Sequence, residues 1–268
     1  MKKWMTLILT GLIAAMVASG CTANSAPPSG LPEAAELIDR ISEAGKELKS
    51  FSTEEDVYQI IVNRVSDTAS TEQIVDSLTR SDIIKEPFQM HSINQTKMHE
   101  DMSLEMEQYV TKDAIFMKLD SDWMKMNEEL RVKAMPSMEE AGYPWRQLEL
   151  YRPVQEALKV SEEGEHYVIR AELNDSQLLK FTESYRNRTN YRGEPLMDDY
   201  SDITIRKADI VYTVHKDTYH PVEISLSSDM DLTRSGHTYS IEGEMRSKYS
   251  NYNGIKEIRI PEEALSAQ

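Results

Sequence analysis

Cys21 is the only cysteine in this 268-residue chain. A thiol is a strong nucleophile once ionised, and left free in an exported protein it would be a reactive liability. The other groups able to do chemistry are dispersed. Six histidines are scattered, with His215 and His220 flanking a turn, and there is no His-Glu-x-x-His helix, cysteine-based zinc spacing or phosphate-cradling glycine loop. No serine sits in a Gly-x-Ser-x-Gly elbow. The acidic pairs Asp120/Asp122, Asp198/Asp199 and Glu262/Glu263 fall in turns or tails, where a solvated surface explains them. The expectation is a protein that is not an enzyme, with no catalytic residue, no metal and no cofactor. One cationic cluster stands out: TESYRNRTNYRGEP, residues 182–195, sets Arg186, Arg188 and Arg192 beside Tyr185 and Tyr191. Guanidinium forks fit phosphate oxygens, so the cluster is a candidate contact for a lipid headgroup or an acidic partner. A solvated polar loop from Arg186 to Tyr200 is the plainer alternative.

What precedes the cysteine explains its position. Lys2 and Lys3 lead an apolar run from Met5 to Val17, the layout of an export signal. The run is about 13 residues, short of the roughly 20 that a spanning helix needs. Ala18-Ser19-Gly20-Cys21 resembles the lipobox of bacterial lipoproteins, with Ala18 where that motif most often has leucine. The resemblance implies cleavage before Cys21 and a diacylglyceryl group on its sulfur. Two acyl chains attach a protein stably where one would be marginal. Thr22 to Gly30, rich in Ser, Pro and Ala, reads as a flexible tether. The expected organisation is a signal peptide at 1–20, a lipidated N-terminus and tether at 21–30, and one domain at 31–268, held at the extracytoplasmic face of the bacterial cell membrane.

The formal net charge is −16. Residues 1–20 carry Lys2 and Lys3 and no acid, so the mature chain has 28 basic against 46 acidic residues, a net −18. Such a surface repels nucleic acid and anionic lipid. Membrane attachment therefore falls to the anchor.

The elements that would position a site begin with a helix over Pro32 to Lys49, where Ala34, Leu37, Ile38, Ile41, Gly45 and Leu48 share one face. From Phe51 the period becomes two. Tyr58, Ile60 and Val62 alternate, and Met98, Met102, Leu104 and Met106 share one face of a half-buried strand to Val110. Ala114 to Met126 reads as a hairpin around Asp120-Ser121-Asp122. A helical interlude follows from about Ser137 to Lys159, with Trp145, Leu148, Tyr151 and Leu158 apolar. Tyr167 to Leu173 alternates as a strand, and Asp175 can cap a helix carrying Leu178, Leu179 and Tyr185. Three long strands close the chain, with Ile210, Tyr212 and Val214, then Val222, Ile224, Leu226, Met230 and Leu232, then Tyr239, Ile241, Met245 and Tyr249 on their dry faces. The fold class expected is α+β, a single curved antiparallel β-sheet, or half-barrel, with helices covering its concave face.

The lipobox, the short helix and the strand phrases YVTKDAIFMKLDSDWMKM (109–126), ADIVYTVHKDTYHPVEISLSSDMDL (208–232) and YNGIKEIRIPEEA (252–264) resemble uncharacterised bacterial lipoproteins of the LolA/LppX-like group. The resemblance implies a half-barrel with helices in its mouth, used in some relatives to carry acyl chains and in others to sense misplaced lipoproteins. The ligand-binding candidates are Met102, Leu104, Met106, Val222, Ile224, Leu226, Met230, Tyr239, Ile241 and Met245. Methionine is pliable enough to line an acyl-chain site, and it also fills gaps in ordinary cores. Two readings stay open: a cavity that binds a lipid or acyl chain, or a closed interior in a surface protein that senses or regulates another envelope protein.

Overall fold

The computed structural model describes residues 30–66, 69–98, 102–119, 121–141, 143–191, 200–234 and 237–267. Cys21, the signal and nearly all of the tether lie outside them. From Leu31 onward the chain forms one unit.

Eleven antiparallel strands make one open sheet in the order β6-β5-β4-β3-β2-β1-β11-β10-β9-β8-β7. The first strand and the last meet in its middle. β1 (Ser50–Ser66) pairs with β11 (His237–Ser250), and the chain leaves β1 as a meander through β2 (Ala69–Ile84), β3 (Gln89–Met98), β4 (Met102–Thr111), β5 (Ile115–Leu119) and β6 (Asp122–Lys125). The other half of the sheet is β7 (Lys159–Glu163), β8 (His166–Ala171), β9 (Tyr200–His215), β10 (Pro221–Arg234) and β11. Since β6 and β7 are opposite edges yet follow one another in sequence, the residues between them must cross a face of the sheet. That crossing carries α2 (Glu128–Ala141), α3 (Arg146–Glu149) and a 3₁₀ turn at Arg152–Ala157. With α1 (Ala34–Glu47) and α4 (Asp175–Tyr191), these helices cover the concave face of a half-barrel.

The cover is held by two apolar clusters. In the larger, Leu37, Ile38 and Ile41 of α1 join Trp145, Leu148, Tyr151 and the inward residues of β8–β10, such as Ile169, Tyr212 and Ile224. Each such aliphatic side chain contributes about 1.5–3 kcal/mol, an upper estimate against an extended chain. The smaller places Met135 of α2 over Phe51, Ile83, Met90, Val110 and Ile115. A short α5 (Glu262–Leu265) closes the chain against β5 and β6.

Several local expectations are corrected. Met98 to Val110 is a hairpin, with Met98 opposite Met102, rather than one strand. Methionines at both strand ends kept the alternation in phase across the turn and hid it. The interlude begins at Glu128, where the Asn127 side chain accepts from the Leu130 backbone N–H at 2.9 Å and caps the helix. Asn174, not Asp175, caps α4: its side chain accepts from the Gln177 N–H at 3.1 Å, while the Gln177 side chain accepts from the Asn174 N–H at 3.0 Å. That reciprocal pair and the inward Leu178 and Phe181 carry the helix to Tyr191, through the start of the segment expected to be loop. Residues 252–264, grouped with the strands above, form a turn, a stretch without regular secondary structure and the start of α5.

Candidate functional site

Antiparallel pairing fixes which residues share the concave face. Leu226 pairs with Ile210 on one side and with Met245 on the other, and Met245 pairs with Val57. Met230 likewise lies between Ile205 and Ile241, and Ile241 opposite Ile61. Between these two apolar rows runs a third, Ala208–Ser228–Gly243–Gln59. Gly243 has no side chain to fill the floor, and a Cβ there would stand 3.1 Å from Gln59 Cγ.

Over this floor the helices leave a cavity of about 350 Å³. Its roof comes from Gln147 and Leu150 of the crossing segment, Tyr151 beside them, and Phe181 and Tyr185 of α4. Tyr151 and Phe181 pack with ring centroids 4.8 Å apart. The Tyr151 hydroxyl donates to the Ala208 carbonyl at 3.2 Å, pinning roof to floor. Burial, then the Asp209 charge, push its phenol well above the usual range, so it stays protonated. Gln147 Oε1 is buried in this wall with no hydrogen-bond partner.

The structure spreads the ten candidate residues widely. Leu226, Met230 and Met245 line the cavity. Tyr239 and Ile241 are half-buried and pack against the larger cluster, and Ile224 is fully buried within it. Val222 lies by a separate groove with Glu54, Arg80, His91 and Lys248, because the register shifts between Pro221 and Glu223 and breaks the alternation there. Met102, Leu104 and Met106 are on β4, with β3, β2 and β1 between them and β11. Four strand spacings of about 4.8 Å put them roughly 19 Å from β11 along the sheet. Met102 is 57% exposed. The meander order separates residues that the alternation alone had placed on one surface.

Of the arginine cluster, Arg186 is engaged by the chain itself. It pairs with the Asp202 carboxylate at 2.5 Å and donates to the Ile203 carbonyl, tying α4 to β9. The Arg188 side chain and Arg192 lie outside the described residues. Sequence reasoning missed the floor residues Val57, Gln59 and Gly243 and the α4 residue Phe181, although Tyr151 and Tyr185 stood on the helical faces it marked. No described helix is long and apolar enough to cross a membrane.

Among solved structures, the chain is similar to LprF from Mycobacterium bovis, at 14% identity over 86% of this chain and 98% of that one, with a TM-score of 0.39. It is also similar to a DUF1329 family protein from Desulfovibrio piger, at 11% identity, 88% and 100% coverage and a TM-score of 0.29. A LolA superfamily protein from Nitrosomonas europaea matches at 7% identity, 85% and 96% coverage and a TM-score of 0.20. With TM-scores below 0.5, these likenesses carry no weight in the account of the site. No curated protein matches the chain. Residues 33–268 match the model of a family of unknown function, DUF6612, and the chain belongs to that family.

Proposed function

We propose that this protein holds a hydrophobic ligand, a lipid or an acyl chain, in the cavity between the sheet and its helices, and catalyses no reaction. In this reading a diacylglyceryl group on Cys21 tethers it to the extracytoplasmic face of a bacterial cell membrane. The observation that carries the ligand reading is the cavity itself. Its 350 Å³ stands at the lower end of the roughly 300–1,000 Å³ of small-molecule sites. Its walls are mainly aliphatic and aromatic, with Leu226, Met230 and Met245 facing Leu150, Tyr151 and Phe181. Burial of about eight CH₂ groups would contribute on the order of 6 kcal/mol before the entropic cost of association. That suits reversible holding of one short chain, or of part of a longer one. The resemblance of the lipobox and strand phrases to LolA/LppX-like lipoproteins points the same way.

The cavity is tested by titrating the protein with the uncharged fluorescent probe N-phenyl-1-naphthylamine. The wild type takes up the probe. Leu226→Trp, which brings an indole into the cavity from one apolar row of the floor, weakens uptake about tenfold or more while the melting temperature stays within a few degrees. No uptake by the wild type, or undiminished uptake by both Leu226→Trp and Met245→Trp, would refute the reading. The anchor is tested separately: mass spectrometry of the N-terminal peptide from the membrane-bound protein finds Cys21 as the first residue carrying a diacylglyceryl mass, and an unmodified Cys21 would contradict the tether.

A further inference from the structure

The face of the sheet turned away from the helices carries an exposed apolar strip. Val57 lines the cavity, so alternation along β1 sends Tyr58, Ile60 and Val62 to the opposite side. Ile60 lies opposite Ile74 of β2, and Leu78 follows on the same side of that strand. Tyr58 is 45% exposed and Ile74 37%, on a face where an antiparallel sheet ordinarily sets polar side chains. Carboxylates bracket the strip in register. Tyr58 stands between Glu244 of β11 and Asp76 of β2, Ile60 is opposite Glu242, Val62 opposite Glu72, and Leu78 opposite Asp56. Among the described residues, none of these five acids has a side-chain hydrogen bond or ion pair. Arg246 is held by Glu223 at 2.8 Å, which leaves Arg64 and Lys97 at the border as the nearby cations. Beside Tyr58 a depression of about 390 Å³ opens over Ser225 and Ser227, the short side chains between the larger ones of β9 and β11.

We propose that this face docks a basic amphipathic helix of another protein, its apolar stripe along Tyr58, Ile60 and Ile74 and its lysines or arginines reaching the carboxylates on both sides. The spacing fits a helix: Glu244 and Asp76 are two strands apart, about 10 Å along the sheet, and a helix with its side chains is roughly 10–12 Å across. Charge complementarity selects the partner, because cations relieve the mutual repulsion of the five acids in a chain of net charge −16. The same acids repel an anionic membrane or a nucleic acid. The depression beside Tyr58 receives one bulky apolar residue of the helix as an anchor. This surface lies across the sheet from the cavity, so the docking and ligand readings are tested independently.

The probe is a fluorescently labelled peptide of leucine and lysine, about 14 residues long and patterned as a helix with one apolar stripe. Its anisotropy is followed as the purified protein is added, at about 50 and 300 mM NaCl. The expected result is saturable binding that weakens about tenfold at the higher salt. A scrambled peptide of the same composition and a lysine-only peptide of the same charge bind about tenfold or more weakly. Two variants each weaken binding about tenfold: Tyr58→Thr with Ile74→Thr, which keeps strand-forming residues, and Asp76→Asn with Glu242→Gln and Glu244→Gln, which also flattens the salt dependence. An excess of N-phenyl-1-naphthylamine leaves the peptide bound. No binding, equal binding by either control peptide, or undiminished binding by either variant would overturn the proposal. Displacement of the peptide by the probe would overturn it too, by placing the peptide in the cavity.

Discussion

Replacing Gly45 by alanine lowers the stability of this protein by about 2–3 kcal/mol, the cost of overpacking a well-filled core. For a domain of this size that is a fall of roughly 5–10 °C in melting temperature. The sign is informative, because glycine to alanine inside an exposed helix normally stabilises by about 1 kcal/mol. Here Gly45 sits in the last turns of α1 and is buried. A Cβ would stand 2.3 Å from both Cδ2 and Cε3 of Trp145. The indole cannot withdraw: Tyr143 packs edge-on against it at 5.2 Å, and the Lys85 ammonium lies 4.6 Å above its ring. The helix cannot withdraw either, since the buried Lys85 donates to the Gly45 carbonyl at 2.7 Å. Thermal unfolding followed by circular dichroism checks the effect. An unchanged or raised melting temperature would mean that α1 does not pack on Trp145 as described.

The second large effect is on pH. Tyr151 and Tyr212 are buried in the larger cluster, and Tyr249 and Tyr252 are half-buried against it. Desolvation is the first cause that raises the phenol pKa of all four above the ordinary value of 10.0. A group whose pKa is raised by folding contributes stability that is fully present below the unfolded value and is lost as pH rises towards the folded one. Each tyrosine therefore costs up to about 1.4 kcal/mol per pH unit above pH 10. With the two half-buried residues counted at a fraction, the loss is on the order of 3–5 kcal/mol per unit. Lys85 opposes it, because burial lowers its pKa and makes stability rise with pH up to 10.5. One lysine cannot offset four tyrosines. A domain with about 5–15 kcal/mol of stability should thus begin to unfold cooperatively above roughly pH 11. Tyrosinate absorbance and far-ultraviolet circular dichroism should change together. Ionisation of the full complement of 13 tyrosines near pH 10 with the sheet intact would contradict the packing.

The strongest patterns in the sequence led directly to their elements. The α1 stripe of Leu37, Ile38 and Ile41 and the dry faces of β9 to β11 were legible because each sets several apolar residues at the right spacing on the face that packs against the cover, although Ser228 and Gly243 interrupt the rows on β10 and β11. β2 was not, since its concave-side residues include Gln73, Ser77, Thr79 and Ser81, and ladder pairing to β1 and β3 holds it. Hydrogen bonds such as Asn94 to Thr79, at 2.8 Å, serve that polar stretch in place of apolar contacts. α2 escaped for a related reason: Leu130 and Val132 face solvent, and Met135 is the residue it buries. The site was half legible. Leu226, Met230 and Met245 could be placed on one face by alternation, but the strand order that removes β4 to the other meander is written in no local pattern. Gln147 and Gly243 carry no signal beyond their position, and they matter only once the helices cross the sheet.

Whether the cavity holds a ligand is tested most directly by native mass spectrometry of the protein purified without detergent, with solvent extraction of whatever it carries. The account predicts a bound species of lipid mass in the wild type, absent from Leu226→Trp. A wild-type protein at its bare mass that also takes up none of the fluorescent probe would contradict it, and the interior would then be only a core.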